Sequence, residues 1–107
     1  MPVDEPIVAT EVLLLSDPGT HVDWGYRDTW QGTDRYLYYG EWSGTGDMTF
    51  TGGNQAILDR SPEIHLFTKT SGGHQYQGRF VCEGWDFVPA SRDGRPWQAI
   101  VFRLVRA

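Results

Sequence analysis

The chain of 107 residues is long enough for a modest hydrophobic core and too short for two domains, so we expect a single domain over residues 1–107. A hydrophobic content of 39% with 14% aromatic residues excludes a disordered tail. The formal net charge of −5 argues against non-specific binding to duplex DNA, because such binding rests on Lys and Arg contacts with phosphates.

The first half of the chain predicts two strands around an irregular aromatic segment. Residues 7–15 are apolar and β-branched and end at the turn sequence SDPG, which favours a strand; a short buried helix is the alternative. Residues 20–34 follow neither the helix nor the strand period, so we expect an irregular loop. Residues 35–42 predict an aromatic strand, in which Gly40 indicates a bulge or the close approach of another group to the backbone.

The second half predicts one helix and three strands. Residues 55–60 predict a short helix that Asn54 caps. Residues 63–70 alternate with period 2, so one face of that strand carries Ile64, Leu66 and Thr68. A glycine turn then leads into the last two strands.

These last strands cover residues 74–88 and 97–105, and a polar loop with the turn signal Asp93-Gly94 joins them. The total of five or six strands and one helix predicts a mainly β (α+β) fold. We expect a small closed or half-closed β-barrel with one short helix.

Signals for metal or enzymatic chemistry are weak. The three histidines show no HExxH and no ligand pair at helical spacing, so we expect no metal site. Neither a GxSxG motif nor a phosphate loop with lysine is present, so we expect no catalytic residue and no cofactor. A small hydrolase using Asp28, Glu41 or Asp47 stays open as the lowest-ranked alternative.

The sequence also contains few signals that indicate a cellular compartment. No stretch approaches the roughly 20 apolar residues of a membrane span, and the first residues do not resemble a signal peptide. Cys82 is the only cysteine, so no internal disulfide forms, and its apolar neighbours predict a buried small side chain. We expect a cytoplasmic protein.

Two tyrosine-containing segments resemble the base-binding region of SRA (SET- and RING-associated) domains. They are GYRDTW at residues 25–30 and RYLYYG at residues 35–40. In the family, a Gly-Tyr-acidic cluster is followed, twelve residues after its Tyr, by a second Tyr that begins Tyr-x-Gly, and Tyr26 and Tyr38 have that spacing. Three later segments resemble family motifs in the same order, namely GGNQAI, YQGRFV (with Gln77 in place of the family's Asp) and FRLVR.

The resemblance is closer still to SRA-like modules fused to HNH nucleases in bacterial modification-dependent restriction systems. The family motifs are YYGE, GDM, GNxAI, LHLF and AIVF, and this chain has YYGE, GDM, GNQAI, IHLF and AIVF, beginning at residues 38, 46, 53, 64 and 99. This likeness implies a PUA/SRA-like barrel that binds double-stranded DNA containing modified cytosine and is not itself an enzyme. It also implies a fused or associated HNH nuclease as a possible partner.

The resemblance further implies a base-binding pocket. A nucleotide flipped from the duplex would stack between Tyr26 and Tyr38, while Asp28 accepts a hydrogen bond from the cytosine N4 amino group. The family's pocket acid falls at Thr29, so either Asp28 takes that role through a shifted loop or the base specificity differs. The remaining expected pocket residues are Tyr39 and Gly40, through their backbone, and Trp24 or Trp30, around the C5 substituent.

Phosphate contacts are expected from the second half of the chain. Residues 60–107 carry seven basic and four acidic residues, whereas residues 1–59 carry two basic and ten acidic. The candidates are Arg79, Arg92, Arg95 and Arg103. The main alternative is a PUA-like barrel that binds RNA or a small nucleotide-like ligand without base flipping. In the simplest structural interpretation, Tyr26 and Tyr38 are ordinary core aromatics.

Overall fold

The structure is a computed structural model that describes residues 11–17, 27–44, 46–59 and 63–107. The mainly β fold class with one short helix is confirmed for these residues. Their elements, in chain order, are β1 (Glu11–Ser16), β2 (Thr29–Trp30), β3 (Arg35–Tyr39), α1 (Gly52–Leu58), β4 (Glu63–Thr70), β5 (Gly73–Arg92) and β6 (Arg95–Arg106). In the part that the structure covers, no helix is long and apolar enough to cross a membrane.

The six strands form one mixed sheet in the order β1-β4-β5-β6-β3-β2. β1 is parallel to β4, and every other neighbouring pair is antiparallel. Backbone hydrogen bonds do not close the sheet, so β1 and β2 are its two edges within the described residues. Side chains nevertheless join the two sides, because Ser16 at the end of β1 bonds to Asp28, which precedes β2, and to Tyr36 of β3. The expected barrel is therefore half-closed, with a polar seam.

The core lies on the inner face of this curved sheet. In β4 the predicted alternation is confirmed, since Ile64, Leu66 and Thr68 are buried and their neighbours are more exposed. β1 alternates in the same way, with Val12, Leu14 and Ser16 buried. Because alternate side chains of a strand point to opposite faces, burying one face of β1 and of β4 fixes the strand register. The register then determines which side chains point toward the seam.

The last two strands form a longer hairpin than the sequence predicts. The expected polar loop over residues 89–96 is wrong in extent, because β5 continues to Arg92 and β6 begins at Arg95. Only Asp93 and Gly94 remain in the turn, with φ angles of 52° and 78°. A two-residue hairpin turn with both φ angles positive allows cross-strand pairing up to its ends. The hairpin therefore extends past the end of its pairing with β3 at Tyr39.

The helix also differs from its prediction. α1 begins at Gly52, with Thr51 as its N-cap residue and no side-chain capping bond. The expectation that Asn54 caps the helix is wrong: Asn54 lies within the helix and is buried. Its side-chain amide instead bonds to a different segment, described below. These hydrogen bonds outweigh the preference of asparagine for a cap position.

Candidate functional site

The candidate site lies at the polar seam of the barrel. Ser16 Oγ donates a hydrogen bond of 2.5 Å to Asp28 Oδ2, and Tyr36 Oη lies 2.5 Å from the same Ser16 oxygen. Because the single serine proton goes to Asp28, the Tyr36 hydroxyl donates to Ser16. Three residues from separate parts of the chain thus form one hydrogen-bonded row that leads to the Asp28 carboxyl.

Asp28 also contacts the strand that carries the predicted stacking tyrosine. Its Oδ1 accepts a hydrogen bond of 2.7 Å from the backbone N–H of Tyr39. Burial raises the pKa of the Asp28 carboxyl to about 6, although its bonds from Ser16 and Tyr39 favour the charged form. The carboxyl therefore changes protonation near neutral pH. It accepts hydrogen bonds when charged, and both donates and accepts when neutral.

Tyr38 lies immediately before this contact and is half-buried. Its register partner in β6 is Phe102, so its ring lies on the inner face of the sheet. Burial raises the pKa of the Tyr38 phenol, and the nearby negative charges of Asp28 and Glu41 raise it further. The phenol stays neutral at physiological pH, next to a carboxyl that titrates there.

Asn54 holds the segment that follows Tyr39. Its Oδ1 accepts from the backbone N–H of Glu41 at 2.7 Å, and its Nδ2 donates to the carbonyls of Glu41 at 3.0 Å and Thr49 at 2.8 Å. A Cβ atom on Gly40 would lie 2.6 Å from Asn54 Oδ1. The predicted close approach of another group at Gly40 is confirmed, and that group is the Asn54 amide.

The three acidic residues of the hydrolase alternative have separate surroundings. Asp47 Oδ1 accepts from the backbone N–H of Gln98 at 2.7 Å and so fastens residues 46–48 to β6. The Glu41 carboxylate lies against Gly53 at the start of α1. Asp28 lies at the seam. No hydrogen bond in the described part of the chain joins one of these carboxylates to another, so the structure gives no support to a catalytic acid pair.

The other predicted pocket residues are placed as follows. Tyr26 and Trp24 lie outside the described residues. Trp30 packs edge-on against Tyr36, with ring centroids 4.9 Å apart. The Thr29 hydroxyl makes one long contact of 3.5 Å, to the carbonyl of Trp30. Of the predicted set, the structure therefore brings Asp28, Tyr38 and Tyr39 together, with Gly40 directly after them.

The four candidate phosphate-binding arginines separate into two pairs. Arg79 is ion-paired with Glu63 and Arg103 with Asp86. Arg103 also lies on the outer face, because its neighbour Phe102 points inward with Tyr38. The other two, Arg92 and Arg95, flank the hairpin turn.

A cleft of about 490 Å³ lies beside this turn and includes Arg92 and Arg95 in its lining. Trp42 and Trp97 also line it, and their rings stack in parallel with centroids 4.1 Å apart. The two arginines thus share one aromatic-walled cleft, whereas Arg79 and Arg103 lie in ion pairs elsewhere on the sheet.

Three residues of the seam and its surroundings were missed from the sequence: Ser16, Tyr36 and Asn54. A signal for Ser16 was present, because the alternation of β1 places this polar residue in a core position. The same reasoning applies to Tyr36, which is fully buried at the start of an aromatic strand. A polar group at a core position needs a hydrogen-bond partner, so both residues point to a buried polar network.

Solved structures of known proteins share this architecture. No protein-family model matches the chain, and no curated protein is detectably similar to it in sequence. The SUVH5 SRA domain, solved with methylated CHH DNA, superposes with a TM-score of 0.66 at 17% identity, covering 89% of this chain and 62% of that one. The chain thus spans less than two thirds of that domain's length.

Two restriction enzymes superpose at least as well. The DNA modification-dependent restriction endonuclease AspBHI gives a TM-score of 0.71 at 19% identity, covering 91% of this chain and 31% of that one. The MspJI restriction endonuclease, solved with a 27-mer oligonucleotide, gives 0.70 at 17% identity, covering 90% and 29%. The chain is therefore an SRA-like module in fold, as the resemblance of its sequence predicts.

Proposed function

We propose that this chain is a binding module that recognises modified cytosine in double-stranded DNA and holds the flipped base at the polar seam. The observation that carries the proposal is the position of the Asp28 carboxyl. It is bonded to the backbone N–H of Tyr39, directly after Tyr38, in a fold shared with SRA domains. The seam thus combines a polar group for the base edge with an aromatic ring for the base face.

The aromatic part of the pocket supplies affinity without selecting the base. Extruding a base costs a few kcal/mol of unpairing and unstacking. Stacking on an aromatic ring returns about 1–3 kcal/mol per base. Tyr38 supplies one face in this proposal and Tyr26 the other. The free energy of two such stacking contacts is therefore comparable to the free-energy cost of flipping.

The Asp28 carboxyl supplies selectivity for cytosine. Cytosine presents an N4 amino donor beside the N3 acceptor, whereas thymine presents the O4 acceptor in the place of N4. A neutral carboxyl accepts from N4 and donates to N3, and a charged carboxylate accepts from N4 alone. The charged form rejects thymine, because it has no proton to donate to O4, whereas the neutral form donates to O4 and accepts from N3–H and so does not discriminate. Selectivity for cytosine therefore rests on the charged form, which predominates above the carboxyl pKa of about 6. In this proposal the C5 substituent, methyl or hydroxymethyl, is read by Thr29, Trp24 or Trp30, and the carbonyl of Gly40, whose N–H bonds to the carbonyl of Ile100, completes the base edge.

The arginine-bearing cleft at the hairpin turn is the proposed phosphate contact. Arg92 and Arg95 fit this role better than Arg79 and Arg103 because the two lie together in one cleft, where Arg92 also lies 4.0 Å from Asp93, whereas Arg79 and Arg103 lie apart in ion pairs with Glu63 and Asp86. Two such contacts provide little non-specific affinity for a chain of net charge −5. We therefore expect weak binding by the isolated module and tighter binding when it is fused to or associated with a nuclease, of the HNH class in our proposal, through effective concentration.

The test is a fluorescence-anisotropy titration at stated low salt, with duplexes that differ only in one cytosine, methylcytosine or hydroxymethylcytosine. Tyr38→Leu removes the ring and should weaken binding to the preferred duplex about tenfold or more, whereas Tyr38→Phe keeps the ring and should bind like wild type. Asp28→Ala should weaken binding to all three duplexes, because each presents the N4 amino group that the Asp28 carboxyl accepts from. Asp59→Asn, an exposed acid at the end of α1, is the matched control.

Flipping itself is tested with 2-aminopurine beside the modified base, since its fluorescence should rise when the neighbour leaves the stack. Equal binding to all three duplexes, or binding insensitive to Tyr38→Leu and Asp28→Ala, would contradict the proposal. Stronger binding of the same base in single-stranded RNA or as a free nucleotide would favour the PUA-like alternative.

A further inference from the structure

Three potential ligand residues meet on the outer face of the β1–β4 pair, away from the seam. Glu11 of β1 is directly opposite Glu63 of β4, and His65 follows Glu63 by two residues, so all three lie on one face. One ligand atom from each lies within 4.8 Å of the other two. Like charges directly opposite each other destabilise a sheet. A bound cation between Glu11 and Glu63 would remove that repulsion.

The histidine is oriented for ligation. His65 Nδ1 lies 2.7 Å from Tyr76 Oη, and its Nε2 is buried and makes no hydrogen bond to any described residue. If Nδ1 donates to the tyrosine, the Nε2 lone pair faces the two carboxylates. Metal-binding histidines commonly have this arrangement, with the second ring nitrogen donating to an oxygen that fixes the tautomer and the ring plane.

The distances fit a tetrahedral ion. His65 Nε2 lies 3.4 Å from Glu63 Oε2 and 3.8 Å from Glu11 Oε1. Zinc bonds of about 2.1 Å to nitrogen and oxygen place two ligand atoms of a tetrahedron about 3.4 Å apart. Arg79 pairs with the other oxygen of Glu63, Oε1, at 3.1 Å and leaves Oε2 directed at the histidine. The Glu11 carboxylate must move closer to His65 Nε2 than its present 3.8 Å to complete three protein ligands.

We propose that Glu11, Glu63 and His65 form a site for a divalent transition-metal ion of the zinc type, with water as the fourth ligand. Sequence patterns for zinc did not reveal it, because the ligands are two residues apart on one strand and opposite on its neighbour, not spaced along a helix. The site joins β1, which among the described residues is an edge strand paired with β4 alone, to the rest of the sheet. Since Ser16 at the other end of β1 supports Asp28, the metal would also stabilise the seam.

The probe is Co²⁺, titrated into the full, tag-free chain and followed by visible absorption, then displaced by Zn²⁺. We expect one equivalent to bind. His65→Ala and Glu11→Gln should each weaken binding about 100-fold, and Tyr76→Phe about tenfold through loss of ring orientation. His74→Ala, an exposed histidine on β5, should leave binding unchanged. Zn²⁺ should also slow amide hydrogen exchange in β1.

Two outcomes would overturn the site. The first is the absence of Zn²⁺ binding to wild type at high micromolar concentration, which would leave His65 in an ion pair only. The second is equal binding by wild type and His65→Ala. If His65→Ala does not fold, the exposed edge variant Glu11→Gln, with a native circular dichroism spectrum, decides the question. None of these measurements uses DNA, so they stand apart from the proposed function.

Discussion

A buried amide, Asn54, and a partly buried carboxyl, Asp28, bind neighbouring parts of the segment around Tyr39 and Glu41, and they differ in charge. Asn54 binds the backbone of Glu41 and Thr49 through three hydrogen bonds, and it is neutral at every pH. Asp28 binds the backbone of Tyr39 and the hydroxyl of Ser16, and burial raises the pKa of its carboxyl to about 6. One group fixes the shape of the segment, and the other brings a titratable charge to it.

The difference separates the structural role of Asn54 from the role in base recognition that we propose for Asp28. An amide that satisfies three hydrogen bonds at no electrostatic cost explains why the backbone at Glu41 and Thr49 packs against the start of α1. A carboxyl at the seam costs stability when it is charged, and an asparagine there would satisfy the same backbone group without that cost. Groups that are unfavourable for stability but chemically versatile are found at functional sites.

The largest expected effect is on stability, from Asn54→Ala. The substitution leaves the backbone groups of Glu41 and Thr49 without their partner, and buried unpaired groups cost about 1–3 kcal/mol each. We expect a loss of about 3–5 kcal/mol in the free energy of unfolding, measured by urea denaturation. Gln55→Ala, on the exposed side of the same helix, is the control and should change stability little. A loss under about 1 kcal/mol for Asn54→Ala would show that this amide does not fix the segment.

The next largest expected effect is a pH dependence of stability that Asp28 contributes and Asn54 does not. Its pKa is raised from 3.8 to about 6 in the folded chain, so the folded state binds more protons than the unfolded state between these values. The stability contributed by Asp28 is therefore highest below this window and falls as pH rises through it, by up to about 3 kcal/mol. Asp28→Asn should lack this fall, because its amide keeps the bonds to Tyr39 and Ser16.

The measurement is the difference in unfolding free energy between wild type and Asp28→Asn from about pH 4 to about pH 7. Using the difference cancels the titration of the other carboxyls. Asp59→Asn, at an exposed acid after α1, serves as the control for the loss of one carboxylate. A flat difference for Asp28→Asn would show that burial does not shift the Asp28 carboxyl.

Gly40→Ala should have a smaller effect that depends on Asn54. The added methyl group would lie 2.6 Å from Asn54 Oδ1, so the amide must move and its bond to Glu41 lengthens. We expect a loss of about 1–2 kcal/mol in the wild-type background and little additional loss when Asn54 is already alanine. A double-mutant cycle in urea measures this coupling. Equal losses in both backgrounds would place the cause elsewhere than Asn54.

The sequence predicted the fold class and the β4 alternation better than it predicted local partners. Alternation and turn residues depend on neighbours along the chain, and they located the strands. The role of Asn54 depends on Glu41 and Thr49, which only the folded chain brings to it. Its sequence context favoured a helix cap, and tertiary hydrogen bonds outweighed that preference.

The extent of the β5–β6 hairpin was predicted wrongly for a related reason. Its polar composition suggested a loop, but the turn at Asp93 and Gly94 allows both strands to continue to the tip. The polar composition of residues 89–96 reflects their exposure to solvent and not their conformation, because the paired strands at the tip of the hairpin extend into solvent. The extension carries Arg92 and Arg95 to one cleft, a grouping that spacing along the chain does not show.

The smallest expected effect concerns these two arginines and the salt dependence of DNA binding. Each phosphate contact releases condensed counterions and adds about 0.9 to the slope of log affinity against log salt. Arg92→Ala and Arg95→Ala should each lower the slope by about that amount and weaken modified and unmodified duplexes equally. Arg35→Ala, at an exposed arginine paired with Glu83, should leave the slope unchanged. A loss of base discrimination without a change in slope would instead place the hairpin cleft at the base.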